Sequence, residues 1–353
     1  MPLIAYVCRA ACLGTFLLAA TLPAVAAPAP AGAADNAGRA VFVRGGVTAE
    51  AAAQKRPVKA RDPIFQQDVL EAAEGASARF VMRDKSMLAL QPGTVVSISE
   101  YQFKPDDPAA DRMVTGVVKG SLRALTGLVD KRGKEEVMLK TQIATIGVRG
   151  TAIRVILFAD GHQEVTFDIG RGYVENAAGR IDLEEGFSAR VLDANTLPER
   201  FTRPLDPRDP VALARKLARM SAAAAKAEAE RLAGIIADEE LIVLLGMLDQ
   251  LPEIDREEML GILEGLISGN PELASALILT GVRLHQEIAP LILERAVGAG
   301  IDVPRALQEV LRALEAPSGP EIELVLIQAV RQGISMDDAQ AVLKELRDAG
   351  LCT

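Results

Sequence analysis

The sequence contains no tryptophan, three tyrosines, nine phenylalanines and two histidines. So few aromatic rings leave few stacking platforms for nucleic-acid bases or sugars. His162 follows the Asp160-Gly161 turn, and His285 has no histidine or cysteine at the spacing that metal ligands need. No Gly-x-Ser-x-Gly elbow, Walker loop or dinucleotide fingerprint is present. We therefore predict no catalytic residue, no metal and no cofactor, and a protein that is not an enzyme.

Long apolar runs are also missing, apart from one at the start of the chain. Residues 1–26 comprise a short start with Arg9, an apolar core from Ala10 to Leu22, and the small-residue exit Ala24-Val25-Ala26. This pattern predicts a cleaved secretory signal peptide, because the core is shorter than the roughly 20 residues that a membrane-spanning helix needs. We therefore expect export to the periplasm and no membrane span.

The chain has three cysteines, and two of them, Cys8 and Cys12, fall within the predicted signal peptide. Cleavage would leave Cys352 as the one remaining thiol, so no internal disulfide is expected. Whether Cys352 pairs between chains stays open, as does the oligomeric state.

Charge is distributed unevenly along the chain. Residues 27–200 carry 23 basic and 23 acidic side chains, whereas residues 201–353 carry 15 basic and 25 acidic ones. An acidic half repels phosphate backbones and anionic lipid headgroups. Neither nucleic acid nor a membrane surface is therefore predicted as a partner.

The sequence pattern changes from β to α near residue 200, which predicts a multidomain β + α protein. After an Ala/Pro-rich leader at residues 27–38, short alternating apolar runs closed by turn residues predict an all-β domain over 39–195. The Asp160-Gly161 pair predicts a hairpin turn. Four prolines mark a linker at 196–210, and Asp209 with Pro210 predicts a helix start. Residues 211–353 have the pattern of an all-α domain of helical hairpins, which begins with an Ala-rich helical run from Val211 to Gly234.

Two helix pairs in the second half, residues 291–316 and 324–349, repeat at an offset of 33 residues. Each copy predicts a helix, a glycine at its C-terminal end (Gly300 or Gly333), a capping residue (Asp302 or Ser335) and a second helix. Repeated helical hairpins of this kind stack on their neighbours and leave a long surface free.

Residues 140–155 read KTQIATIGVRGTAIRV, which resembles the signature of the FecR family of periplasmic sensor domains. The runs FVMRDKSMLALQPGTVVSISEYQF (80–103), VVKGSLRALTG (117–127) and YVENAAGRIDLEEGFSARV (173–191) occur in the family's order. The resemblance covers about residues 38–195 and implies a solenoid-like β domain, with a β-sandwich as the alternative. One departure is Asp84-Lys85-Ser86, where the family has Asp-Gly-Ser, so this tight turn must form without glycine.

The signature predicts a corner between two strand segments, with Gly147 and Gly150 allowing the bend on either side of Arg149. We expect the Arg149 guanidinium to tie carbonyl oxygens of the corner or a neighbouring carboxylate rather than to bind a ligand. The family-motif residues, to which we assign structural roles, are Gly120, Gly127, Thr141, Thr145, Gly147, Val148, Arg149, Gly150 and Thr151.

In the best-known FecR-like proteins the domain lies behind a membrane-anchored anti-sigma segment and relays a signal from an outer-membrane transporter. The sequence shows neither an anti-sigma portion nor an anchoring helix, so we expect a free-standing periplasmic version. The first hypothesis is a non-catalytic binding or scaffold protein that contacts an envelope protein partner of unknown identity. The alternative is a signal-relay component that reads an outer-membrane receptor. A third hypothesis is a protein that binds or modifies the cell wall or a polysaccharide.

Overall fold

Strands occupy the first half of the chain and helices the second. The computed structural model describes residues 35–131, 137–204, 206–315 and 317–349, with Thr151 described by its backbone alone. The predicted signal peptide of residues 1–26, most of the predicted leader and Cys352 lie outside the described residues. A β-rich region followed by a helical region, as the sequence pattern predicted, is confirmed.

The strands follow one another with short connections. Their bounds are β1 Asn36–Arg44, β2 Val47–Ala51, β3 Gln54–Pro57, β4 Pro63–Phe65, β5 Val69–Ala72, β6 Ser77–Met82, β7 Met87–Leu90, β8 Val95–Gln102, β9 Arg112–Leu125, β10 Val137–Lys140, β11 Thr145–Leu157, β12 Gln163–Asn176, β13 Gly179–Leu183, β14 Phe187–Val191 and β15 Glu199–Thr202. They form one sheet in the order β15-β14-β12-β11-β10-β9-β7-β6-β1-β4. Strand β13 pairs with β12, and β3, β2, β5 and β8 form a branch that joins β9.

Almost every strand pair in the described part of the sheet is antiparallel, and β9 with β10 is the parallel exception. A β-solenoid pairs its successive coils in parallel. The predicted solenoid-like arrangement is therefore not confirmed, although the β-rich character of the region is.

The short helix α1 at Leu128–Lys131 lies between β9 and β10, and the other helices follow the strands in the chain. Their bounds are α2 Pro210–Leu217, α3 Ala222–Ala233, α4 Asp238–Leu248, α5 Arg256–Gly269, α6 Ala274–Leu284, α7 Ala289–Gly298, α8 Val303–Ala313, α9 Gly319–Arg331 and α10 Met336–Asp348. The Ala-rich run after Pro210, which the sequence pattern suggested as one stretch, is two helices, because the chain leaves the helix after Leu217 and α3 starts after Ser221.

The helices stack in two rows. Helices α2, α4, α6, α8 and α10 each contact the next member of one row, and α3, α5, α7 and α9 form the other. Helices α4 and α6 also contact strands of the sheet. The start of α8 at Val303 and that of α10 at Met336 are 33 residues apart, and Asp302 and Ser335 cap them with their side chains.

Helix α10, the last described helix, has a polar outer face. Ala306 and Val310 of α8 correspond at the 33-residue offset to Ala339 and Leu343 of α10, and all four are buried. The next positions differ: the buried leucines of α8 are replaced in α10 by exposed polar residues. These correspondences are Leu307 with Gln340, Leu311 with Lys344 and Leu314 with Arg347. Such a polar face is typical of the pair that caps a repeat stack.

Sheet and helices share one hydrophobic core. Val81, Met87 and Ala89 of the sheet belong to the same buried cluster as the helix residues, while Phe80 and Leu88 on the opposite face belong to a second cluster within the β region. Strands β6 and β7 are therefore buried on both faces, which explains their continuous apolar runs. The described residues from 35 to 349 belong to one compact unit.

Ion pairs also join the sheet to the helices, and the cation usually lies on the sheet side. With the cation first, these pairs are Arg44–Glu239, Arg61–Glu309, Arg79–Glu240, Lys85–Glu287, Arg123–Asp209, Lys131–Asp249 and Arg154–Asp209. Part of the acidic excess of the second half is thus neutralised inside the protein by basic residues of the first half.

Arg79 is the most deeply buried of these cations. Its side chain is fully buried and donates hydrogen bonds to the backbone carbonyls of Ala78 (3.0 Å), Leu90 (2.9 Å) and Glu239 (3.0 Å). Burial lowers the pKa of Arg79 to about 10, against the opposing effect of Glu240 and Glu239. Arg79 therefore remains charged at neutral pH and fastens β6 and β7 to the start of α4.

The predicted linker at residues 196–210 carries structure of its own. It includes β15, which pairs with β14, and Asp209, which caps α2 at Pro210 as the sequence predicted. Within the described residues no single helix is long and apolar enough to cross a bilayer. Helix α5 and the segment Pro271–Leu284, which are bent by 115°, meet both criteria only when taken together.

Candidate functional site at the signature corner

The signature residues form a bent strand. The first part of β11 pairs with β10 and β12, and the part after the bend pairs with β9 and β12. The register shifts between Arg149 and Ala152, where Gly150 has a φ of +61° that favours glycine. The predicted strand, corner and strand are therefore present. A bulge of this kind redirects the side chains beside it.

The corner is held by Asp130 in α1, which sequence reasoning missed. Its Oδ2 accepts a short hydrogen bond from the Gly150 N–H and another from the Thr126 hydroxyl at 2.8 Å. Burial raises the pKa of Asp130, while those hydrogen bonds and the charge of Arg149 oppose the rise. The corner is therefore held by the Asp130 carboxylate, which accepts a backbone N–H, and not by the Arg149 guanidinium.

Arg149 itself is exposed, and its guanidinium makes no hydrogen bond or ion pair with any described residue. The hydrogen bonds to carbonyl oxygens or to a neighbouring carboxylate that we expected from it are not present in the described part of the chain, although its charge acts on Asp130. Its neighbour Val148 is buried, so the strand presents Arg149 outward and Val148 to the core.

Two motif glycines are required by close packing. A Cβ atom on Gly147 would lie 1.9 Å from the ring of Tyr173, and one on Gly127 would lie 2.1 Å from the carbonyl oxygen of Asp84. The Tyr173 ring thus packs against the Gly147 backbone, with the Arg180 guanidinium 3.7 Å from the ring centroid.

The other motif residues lie near the ends of strands. Thr141 accepts hydrogen bonds from the N–H groups of Ile143 (3.3 Å) and Ala144 (3.0 Å) and so closes the turn before Thr145, the first residue of β11. Gly120 lies in β9 opposite Leu157. The structure brings Gly147, Val148, Arg149 and Gly150 together, whereas Gly120 lies away from the corner. The side chain of Thr151 lies outside the described residues.

A groove of about 200 Å³ opens beside the corner. Its lining residues are Gly147, Val148, Arg149, Arg171, Gly172, Tyr173, Arg180, Asp182, Leu183 and Glu184. Arg180 pairs with Asp182 through contacts of 3.0 and 2.8 Å. Arg149 and Arg171 stand directly opposite each other on β11 and β12.

Like charges directly opposite each other in a sheet are destabilising. Arg171 is also exposed and, like Arg149, makes no hydrogen bond or ion pair with any described residue. The other arginines of β11 to β15 have carboxylate or aromatic partners. These are Arg154 with Asp168, Arg180 with Asp182, Arg190 with Glu164, and Arg200 with the ring of Phe187. An arginine pair without a hydrogen bond or ion pair to any described residue therefore distinguishes this place on the sheet.

The two histidines have local partners. His162 stacks on Phe158 with ring centroids 4.2 Å apart and contacts Asp160 in the predicted hairpin turn. His285 lies 2.8 Å from Asp249. Among the described residues no group of three or more histidine, cysteine, aspartate or glutamate side chains is placed to hold a metal.

Residues 68–175 match the model of a family described as FecR protein. The resemblance read from the signature is therefore confirmed for this part of the chain, which includes the corner and most of the groove. No curated protein matches the chain.

Two crystal structures of a candidate anti-sigma factor from Parabacteroides distasonis are similar to part of the chain. The first is 17% identical and has a TM-score of 0.32, with 41% of this chain and 62% of the other covered. The second is also 17% identical and has a TM-score of 0.31, with 42% and 64% covered. The chain thus spans less than two thirds of the length of these proteins.

Proposed function

We propose that this chain, which carries a FecR domain at residues 68–175, is a non-catalytic protein of the periplasm that binds an envelope protein at the groove beside its signature corner. The family match favours a regulatory role connected with signalling. The expected export, from the predicted signal peptide, supplies the compartment.

The observation that carries the proposal is the pair Arg149 and Arg171 at the rim of the groove, neither of which makes a hydrogen bond or ion pair with a described residue. Both guanidiniums are exposed and stand opposite each other across two strands. A sheet gains no stability from this arrangement, so a binding role explains it better than a structural one. Arginine suits protein recognition because its planar fork matches carboxylates and aromatic rings.

A partner held at the groove would also meet the free edge of β13, which in the described sheet pairs with β12 alone. An extended segment of a partner can add to such an edge through backbone hydrogen bonds. Because the sheet shares its core with the helices, the helical stack would move with the groove and offer a second binding surface. This is the scaffold hypothesis.

The alternative, a relay that reads an outer-membrane receptor, is favoured by the ion pairs that couple the sheet to the helices. In this hypothesis, a conformational change caused by receptor binding at the groove would be transmitted to the helical stack through these ion pairs. Its test is genetic: deletion of the gene should change transcription of a transport system. The cell-wall hypothesis has less support, because Asp182, one of the two acids in the groove, is engaged by Arg180.

The binding proposal is tested by in vivo crosslinking and co-purification of the full chain from envelope extracts. The variant R149Q/R171Q should lower the yield of the crosslinked partner by at least about tenfold, since charge-assisted hydrogen bonds each account for about that factor. The matched control is R219Q/R256Q, which removes two exposed arginines of the helical region. Equal yields from both variants would contradict the proposal.

A further inference from the structure

We infer that the groove binds carboxylate side chains of an acidic protein segment, held between Arg149 and Arg171. This inference rests on the proposed binding function and adds the chemistry of the ligand. No residue of the chain itself fills that role among those described.

The first step concerns geometry. Residues directly opposite each other in an antiparallel pair have Cβ atoms about 5 Å apart. Arg149 and Arg171 are such a pair and lie on the face that carries Tyr173. Two guanidiniums that start from this spacing can both reach one carboxylate, and each presents a fork that matches its two oxygens.

The second step concerns charge. The groove is lined by three arginines, Arg149, Arg171 and Arg180, and by two acids, Asp182 and Glu184. Three arginines against two acids leave the lining with a net positive charge, and because Arg180 pairs with Asp182 this charge lies at Arg149 and Arg171. The carboxylate of Asp130 accepts hydrogen bonds from the Gly150 N–H and the Thr126 hydroxyl and does not line the groove. An anion is therefore the ligand that this end of the groove attracts.

The third step concerns the wall of the groove. The Tyr173 ring packs against the Gly147 backbone and the Arg180 guanidinium lies over the ring, so Tyr173 and Arg180 together form the wall beside the arginine pair. A glutamate carries its carboxylate on an apolar stem that can lie along this wall. A groove of about 200 Å³ has room for a few side chains, which suits a short peptide segment better than a folded surface.

The test uses the full chain and four probes: an acetylated and amidated tetraglutamate peptide, the tetraglutamine peptide, inorganic phosphate, and buffer alone. The readouts are isothermal titration calorimetry and the NMR signals of the arginine Nε–H groups. Tetraglutamate should bind and shift the Arg149 and Arg171 signals, whereas tetraglutamine should not. The affinity should fall as the salt concentration rises.

Variants decide whether the arginine pair is responsible. R149Q/R171Q should lose at least about tenfold in tetraglutamate affinity. R149K/R171K keeps the charge without the planar fork and should lie between it and the wild type. R219Q/R256Q should bind as the wild type does. Thermal unfolding of each variant checks that it folds.

The outcomes separate this inference from the proposed function. Binding of phosphate but not of tetraglutamate would overturn the carboxylate assignment, and so would equal binding of tetraglutamate by R149Q/R171Q. If no anion binds while partner crosslinking still depends on Arg149 and Arg171, the ligand chemistry is wrong and the binding function stands. If crosslinking is also unaffected, both fail.

Discussion

Asp209 caps helix α2 with one carboxylate oxygen and binds Arg123 with the other. Oδ1 accepts the Val211 N–H at 3.0 Å, and Oδ2 accepts Arg123 at 2.6 Å and Arg154 at 2.8 Å. A single side chain therefore starts the helical region and ties it to β9 and β11, two strands that meet at the signature corner.

Two substitutions separate the roles of Asp209. D209N keeps a side chain that caps helices well but loses the charge, and we expect it to lower the free energy of unfolding by about 3 kcal/mol, because Arg123 is left buried without this partner. D209A also removes the cap and should cost about 1 kcal/mol more. Urea denaturation measures both. Equal destabilisation by D209N and D209A would show that the cap contributes nothing.

The ion pair between Asp209 and Arg123 also predicts how the stability of the protein depends on pH. Burial would raise the pKa of Asp209, but Arg123 and Arg154 hold it below its ordinary value. A carboxyl group whose folded-state pKa is lowered stabilises the protein above its unfolded pKa of about 3.9 and loses this effect as the pH falls through the folded value. The stability gap between wild type and D209N should thus be constant from pH 6 to 8 and narrow below about pH 4. Urea titrations across this range measure the gap, and a gap that widens in acid would contradict the prediction.

Asp84 should behave in the opposite way. Burial raises its pKa, although Ser86 and Tyr101 donate hydrogen bonds to it at 2.6 and 3.1 Å. Its stabilising effect is complete below the unfolded pKa and is lost as the pH rises through the folded value. The stability of D84N relative to wild type should therefore increase with pH. The control is D106N, which makes the same substitution at an exposed position.

Lys85 occupies a position that favours glycine. Its φ is +69°, in the turn where the family has Asp-Gly-Ser, so the turn forms without glycine at the cost of a strained residue. Lys85 also lies 3.6 Å from Glu287, a contact that any truncation removes. K85G should therefore be more stable than K85A by about 1 kcal/mol in urea denaturation. If K85A proved the more stable, the backbone at this turn would not be strained.

The polar outer face of α10 should keep the stack from associating with another. Gln340 and Lys344 stand where α8 has Leu307 and Leu311, so Q340L/K344L would expose an apolar face shaped to receive a helix pair. We expect this variant to form oligomers in size-exclusion chromatography with light scattering. The control A341L/E345L adds as many leucines at positions where α8 has Gln308 and Arg312. If both variants associate to the same extent, the oligomers result from nonspecific contacts of the added leucines and not from the outer face of α10.

Local patterns predicted much of the fold. The caps at Asp209, Asp302 and Ser335 and the hairpin at Asp160-Gly161 depend on residues close in sequence, and the structure has them where expected. The break between α2 and α3 was missed, because alanine favours a helix throughout this run. The union of sheet and helices was missed as well, since it depends on contacts between residues far apart in the chain, such as Arg79 with Glu239.

The pairing of residues at the candidate site could be predicted from the sequence. Arg149 lies eleven residues before Asp160 and Arg171 eleven after it, and Gly147 and Tyr173 each lie thirteen away. A hairpin centred on Asp160 therefore pairs these residues, as the structure does. Asp130 gave no such signal, because its approach to Gly150 depends on how α1 packs against β11. The expectation that Arg149 ties carbonyl oxygens or a neighbouring carboxylate overlooked that a carboxylate can hold the corner directly, by accepting the Gly150 N–H.

The buried arginines of the sheet limit how the FecR region can be reused. Transplanted into another protein, residues 68–175 would leave Arg79 and Arg123 without Glu240 and Asp209, beside an apolar surface open to water. The region matched by the family model therefore depends on the helices in this chain. A graft of it into another protein must include those helices or replace the two arginines.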